Sequence, residues 1–389
     1  MNRPTPQVTG FIGWRYHGAS GTSKHGPTLD KPQTKFWRAN GSWWAVLANS
    51  EDDVEGLSVY QFDEHAEAFT KASETLTNKP CASVDAHFDG KELLLAIRAP
   101  EVGIELQRLH YDDDMQRYLP DPDGSWTEPE VESPSVSVTK SKVGSIVLTY
   151  ATDLPYYLSS PQSSFPHLGT SAALPGATPT LIGVDLSAVI ALGDDVALLW
   201  SDQGRESFFC AILREDGTVD IEIAVSGGLV ADDHIAVREY QGRLFVAVKT
   251  SRDDDPARAS DDSLLLLLVR EPTGKWHHHC VAKIHEPVTR PMPLLEPEAG
   301  LIHVLYTHGP NPGERTIRAR SARLDQFEFA AQETTVMAVS NGQLNDVTGS
   351  REPLTRHNGA LVAASDGHAS RYHFAHLHAG FSIPRGPSI

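Results

Sequence analysis

The stretch DDHIAVREYQGRLFVAVKT, from Asp232 to Thr250, decides the fold. Two strand-like runs, IAVREY and RLFVAVK, flank the dipeptide Gln241-Gly242. A short turn ending in glycine between two apolar runs signals a β-hairpin, because glycine accepts the left-handed backbone that such turns need. The second run has counterparts along the whole chain. They are GSWWAVLANS from Gly41, GKELLLAIRA from Gly90, GSIVLTYATD from Gly144, DDVALLWSDQ from Asp194, GLIHVLYTHG from Gly300 and GALVAASDGH from Gly359. With GRLFVAVKTS from Gly242 they make seven, starting roughly 50 to 60 residues apart, the range in which a fixed period signals a propeller, solenoid or array.

Each copy extends into a four-stranded unit. A shorter strand precedes the main run across a tight turn, as SVDAHF precedes ELLLAIR across DGK and PLTRH precedes ALVAA across NG. A further pair follows, as in ESFFCAILRE and TVDIEIAV around DG. The helical period is almost absent, so the chain reads as all-β. Seven four-stranded antiparallel units in one domain predict a seven-bladed β-propeller. The units run over about 36–80, 83–135, 136–180, 181–230, 231–286, 287–340 and 341–389. The last lacks a fourth strand beyond SRYHFAHL. The segment GFIGWRY, residues 10–16, is expected to pair into it and close the ring, which removes a free sheet edge. The alternative is an N-terminal arm lying on the surface.

Composition narrows the partners. The chain has 389 residues and a net charge of −18, against the basic footprint that nucleic acid or an anionic membrane requires. Its longest apolar run, LLLLLV from Leu264, is strand-sized and far short of a membrane span. MNRPTPQVTG at the start has no apolar signal core, so the chain reads as cytoplasmic as given, or as secreted once a signal has been removed. Cys81, Cys210 and Cys280 are odd in number and far apart, which implies no disulfide framework. Cys210 and Cys280 lie in runs that suit buried thiols.

Propeller topology places a site. The start of each first strand and the end of each second strand meet on one face, near the axis. Two insertions, 159–180 and 251–262, read as loops between second and third strands on that face, where loops carry function. Asp233, His234, Arg290 and Arg351 are expected at first-strand starts. Asp202, Lys249 with Arg252, and His308 are expected at second-strand ends. Trp14 joins them if the N-terminal strand closes the ring. Titratable and aromatic groups around a channel mouth suit a carbohydrate or other polar small ligand.

The sharpest pair is Arg290 and Arg351, since a guanidinium fork matches a carboxylate or sulfate. His234 is the candidate base, poised near neutral pH, with a turn histidine as its plain alternative. Tyr306 lies on the same strand side as His308 by the period of two. A His base, a Tyr acid and an Arg that neutralises a uronate carboxylate would support β-elimination.

The run His277–His279 offers two imidazoles on one strand face, half of a structural zinc site, and His376 with His378 do the same. No metal site and no cofactor are expected, with room left for a structural calcium or zinc ion.

DDHIAVREYQGRLFVAVKT and TRPMPLLEPEAGLIHVLYTHG resemble the sialidase-like, neuraminidase-repeat propellers. That class includes sialidases, ulvan-type polysaccharide lyases and sugar-binding lectins. TRPMPL is similar to the arginine-proline phrase of sialidases, which implies a carboxylate-binding role for Arg290. The lyase group uses a His, a Tyr and an Arg on the channel face, which the resemblance implies for His234, Tyr306 and Arg290. The expectation is a carbohydrate-active propeller acting on an anionic glycan, possible as a lyase. The alternatives are a non-catalytic glycan- or protein-binding propeller and a sialidase-like hydrolase.

Overall fold

The computed structural model describes residues 8–12, 28, 33–51, 54–66, 68–77, 83–99, 102–340, 342–366 and 371–381. Seven four-stranded antiparallel sheets form the blades of a propeller. Their first strands are Phe36–Ala39, Ser83–Phe88, Val136–Lys140, Ser187–Leu192, Ile235–Tyr240, Val288–Glu296 and Leu344–Gly349. Each of these touches the first strand of the next blade, from blade one through blade seven. They are therefore the innermost strands and surround the axis.

The hairpin reading has a backbone cause. Gln241 and Gly242 both take positive φ, 54° and 75°, as the favoured two-residue hairpin turn requires. That turn brings Arg243–Lys249 back along Ile235–Tyr240, with Tyr240 opposite Arg243. Asn40 and Gly41 repeat the geometry in blade one.

Between blades the alternating side chains interlock. Trp44 is fully buried against Tyr118 of blade two, and Trp37 Nε1 donates to the Tyr118 hydroxyl at 3.0 Å. Truncating an aromatic anchor of this kind costs about 3–5 kcal/mol. Phe36, Trp43 and Leu47 of blade one pack with Leu361, Tyr372 and Phe374 of blade seven, which seals the ring.

The ring closes through the N-terminal strand, as expected, but at a different register. Val8–Ile12 pairs antiparallel with Arg371–Ala375 and supplies the outermost strand of blade seven. The expected segment was 10–16, and the paired strand begins two residues earlier. The β-branched Val8, Thr9 and Ile12 favour the earlier segment. Trp14 lies outside the described residues.

Two other expectations are corrected. Residues 159–180 are not a loop between second and third strands. Residues 162–171 join the third strand, Pro155–Pro161, to a two-residue fourth strand, Ala172–Ala173, and 174–186 lead into blade four. The insertion is thus divided between the two ends of the propeller. Residues 251–262 do join second to third strand, between Arg243–Lys249 and Ser263–Arg270. Cys280 is exposed on an outermost strand, while Cys210 is buried and burial pushes its thiol well above the usual range. No helix among the described residues is long and apolar enough to cross a membrane.

Candidate functional site

At the end that carries the 251–262 loop, the expected residues are present but engaged. Asp232 and Asp233 precede the first strand of blade five, and Lys249 ends its second strand. The Lys249 ammonium donates to Asp232 Oδ2 at 2.8 Å, Asp253 Oδ1 at 2.8 Å and the Thr250 carbonyl at 3.1 Å. Those three bonds use all its donors. Burial pulls Lys249 down, but the two carboxylates outweigh it and hold its pKa above the usual lysine value.

His234 turns Nδ1 to Asp232 and also lies 2.5 Å from Asp233 Oδ1. A carboxylate can only accept, so Nδ1 donates, and Nε2 lies 3.5 Å from Thr289 Oγ1. Burial raises Asp232, yet the bond and charge of His234, with help from Lys249, leave it well below the carboxylate range. One ligand atom each from Asp232, Asp233 and His234 fall within 4.8 Å of one another, a spacing a cation could bridge. The Lys249 ammonium already supplies a positive charge there.

The other loop residues hold backbone. Asp202 caps the short 3-10 turn Gln203–Arg205 through the Arg205 amide at 2.9 Å, and accepts from Thr180 Oγ1 at 2.7 Å. Arg252 donates to the carbonyls of Gly228 and Ser263 at 3.1 and 3.3 Å, which ties its loop down.

Arg290 is paired with Asp346 of blade seven at 2.6 Å, and Asp346 is 3% exposed. Both have left-handed backbones, φ 58° and 53°, at irregular points in their strands. Such conformations cost about 1–3 kcal/mol each, so two facing blades hold this ion pair against strain.

Tyr306 is fully buried, packed among residues of blades five and six, and donates to Glu333 at 2.7 Å. Burial and Glu333 push its hydroxyl far above the usual phenol range. Glu333 also accepts from Arg318 at 2.6 Å and lies 3.8 Å from His308. His234, Tyr306 and Arg290 therefore each bond within a different network.

Arg351 corrects the sequence reading most. The first strand of blade seven is Leu344–Gly349, not PLTRH, so Arg351 follows that strand at the opposite end of the propeller. The physical reason is that PLTRH lies in the long turn between first and second strands, where Thr355 bridges to Gly359. From there Arg351 reaches across the axis to blades two and three. It donates to Asp85 Oδ2 at 2.6 Å and to the Val138 carbonyl at 2.7 Å.

Here the channel opens into a cavity of about 370 Å³. First-strand residues of five blades contribute, among them Phe36, His87, Thr139, Ala191 and Tyr240, with Arg351 and Glu352 from the blade-seven turn. Asp85, fully buried, accepts from the Thr34 amide, Ser137 Oγ and the Val138 amide at 2.6, 2.9 and 2.8 Å, besides Arg351. The sequence reading did not single out His87, Arg238, Glu239 or Tyr240. A charge inside the buried run IAVREY is the signal that was available for Arg238.

No protein-family model matches the chain, and no curated protein sequence matches it. Solved structures do match. One chain of the mitotic checkpoint complex is similar with a TM-score of 0.56 at 12% identity, over 97% of both chains. AofleA from Arthrobotrys oligospora is similar with a TM-score of 0.52 at 9% identity, over 86% of this chain and 91% of that one. At these identities the likeness is one of fold. It supports the propeller and leaves activity to the site.

Proposed function

We propose that this protein is a non-catalytic binding propeller that holds a polar, sugar-sized ligand in the axial cavity. One observation carries the reading. The candidate base, acid and arginine are bonded in separate networks, and none of them lines the cavity. A volume near 370 Å³ falls in the range of small-molecule sites, about 300–1,000 Å³. Its lining combines the rings of Phe88 and Tyr240 with Thr34, Thr139, Glu239 and Arg351, an apolar wall with a few polar groups.

The test is a thermal-shift panel of neutral and acidic mono- and disaccharides. A binder present at 100 times its Kd stabilises by about 2.7 kcal/mol, and Tyr240→Ala is expected to abolish the shift. A flat response to every saccharide would overturn the reading and direct attention to a protein partner.

A second reading, lyase-type elimination on an anionic glycan, is favoured by the Asp232–His234 bond, which orients the imidazole as a catalytic base requires. Absorbance at about 235 nm with uronate polysaccharides, in the native protein and in His234→Ala, decides it. A rise that His234→Ala abolishes would restore the enzyme reading.

A further inference from the structure

We infer that the inner part of the axial cavity is a carboxylate site served by Arg238 and His87, beside the Arg351–Asp85 pair. The inference rests on the cavity being the ligand site and names the chemistry of that ligand.

Arg238 is 4% exposed on the first strand of blade five, one residue inward of Glu239, which lines the cavity. Its Nη1 donates to the Val237 carbonyl at 2.8 Å, and its Nε has no hydrogen-bond partner among the described residues. A buried guanidinium is costly unless a carboxylate answers it. The acid whose charge acts on it is Asp85, and Asp85 already accepts four bonds, from Thr34, Ser137, Val138 and Arg351. Three of them fall on Oδ2, the oxygen that Arg351 bonds, and the Thr34 amide takes Oδ1. Asp85 bonds Arg351, and Arg238 bonds no carboxylate among the described residues.

His87 adds a second unpartnered group, a donor in the tautomer whose Nδ1 accepts from Thr139. It lines the cavity, its Nε2 is buried with no partner among the described residues, and its Nδ1 is 3.5 Å from Thr139 Oγ1. Burial and the Arg351 charge act on both groups, lowering Arg238 to about 9 and His87 to about 3. A third cation, Lys35, donates to Gln33 Oε1 and the Val84 carbonyl. An incoming carboxylate would supply the acceptor that Arg238 lacks.

The outer part of the lining has the other sign. Glu239 accepts from the Gly242 amide at 2.7 Å, and Glu352 accepts from the Arg38 amide at 3.1 Å. The fitting ligand is a monoanion that enters carboxylate first, with a neutral or cationic body between these two acids.

Calorimetric titration with sodium glucuronate, sodium lactate and glucose tests this on the full chain. Glucuronate is expected to bind at least about tenfold more tightly than glucose, which has the same ring without the acid. Arg238→Met is expected to weaken glucuronate about ten- to a hundredfold and leave glucose unchanged. The melting temperature of ligand-free Arg238→Met is expected to rise, since an unanswered buried charge is removed.

His87→Ala gives an independent variant if Arg238→Met does not fold, with the same selective loss of glucuronate. Lactate binding as tightly as glucuronate supports the carboxylate site and assigns a non-sugar acid to it. Equal binding of glucose and glucuronate, both weakened by Tyr240→Ala, overturns the carboxylate inference and leaves the cavity reading standing. No binding by any of the three overturns both.

Discussion

The two ends of the channel are built from the same seven hairpins and differ in how their charges are matched. At the end with the 251–262 loop, Lys249 faces Asp232 and Asp253, and Arg290 faces Asp346. At the cavity end, Arg351 faces Asp85, and Arg238 stands beside that pair with no bonded acid among the described residues. A guanidinium fork that is already answered holds blades together. One that lacks an acceptor beside a cavity is available to a ligand. The difference shows that a list of charged residues near a channel mouth does not locate a site until their partners are known.

The largest expected effect sets the two ends against each other. Asp85→Ala strands Arg351 beside Arg238 in a buried place and is expected to lower unfolding stability by about 3–5 kcal/mol. Asp232→Ala leaves Lys249 still bonded to Asp253, and a loss of about 1–3 kcal/mol is expected. Urea unfolding of both variants measures the gap. Equal losses would mean that the cavity end is no more finely balanced than the other.

A smaller effect is read from pH. His87 is held at about 3 in the fold against 6.5 for an ordinary histidine, chiefly by burial. Between those values the unfolded chain binds the extra proton, so stability is fully present above pH 6.5 and is lost as pH falls toward 3. His87→Gln is expected to remove a slope of up to about 1.4 kcal/mol per pH unit across that window. Parallel stability curves for the two proteins would place His87 in contact with solvent.

The smallest effect belongs to Tyr306. Tyr306→Phe removes one bond to Glu333, which keeps Arg318, so about 1 kcal/mol of stability is expected to go while ligand affinity stays unchanged. A collapse of binding or of any lyase activity in this variant would return the working site to the 251–262 end.

Much of the architecture was legible in the chain itself. Gln241-Gly242, Asp89-Gly90 and Asn358-Gly359 mark turns, and the seven apolar runs between such turns mark second strands. The site was legible only as a residue inventory. Arg351 was assigned to the wrong end because PLTRH has a strand-like pattern, whereas LNDVTG forms the inner strand of blade seven. Residues 159–180 were assigned to one loop because a two-residue fourth strand, Ala172–Ala173, leaves no periodic trace.

What the sequence by itself determined is the repeat, its hairpins and the all-β class, since these follow from local periodicity and turn chemistry. The closure of the ring by an N-terminal strand could be inferred from one missing strand, although its register could not. What only the tertiary structure decided is which charge meets which. Arg351 meets Asp85 across 266 positions of sequence, and Arg290 meets Asp346 across 56. Coulomb and hydrogen-bond energies depend on separations of a few ångströms, and in a ring those separations are set by the closure of all seven blades.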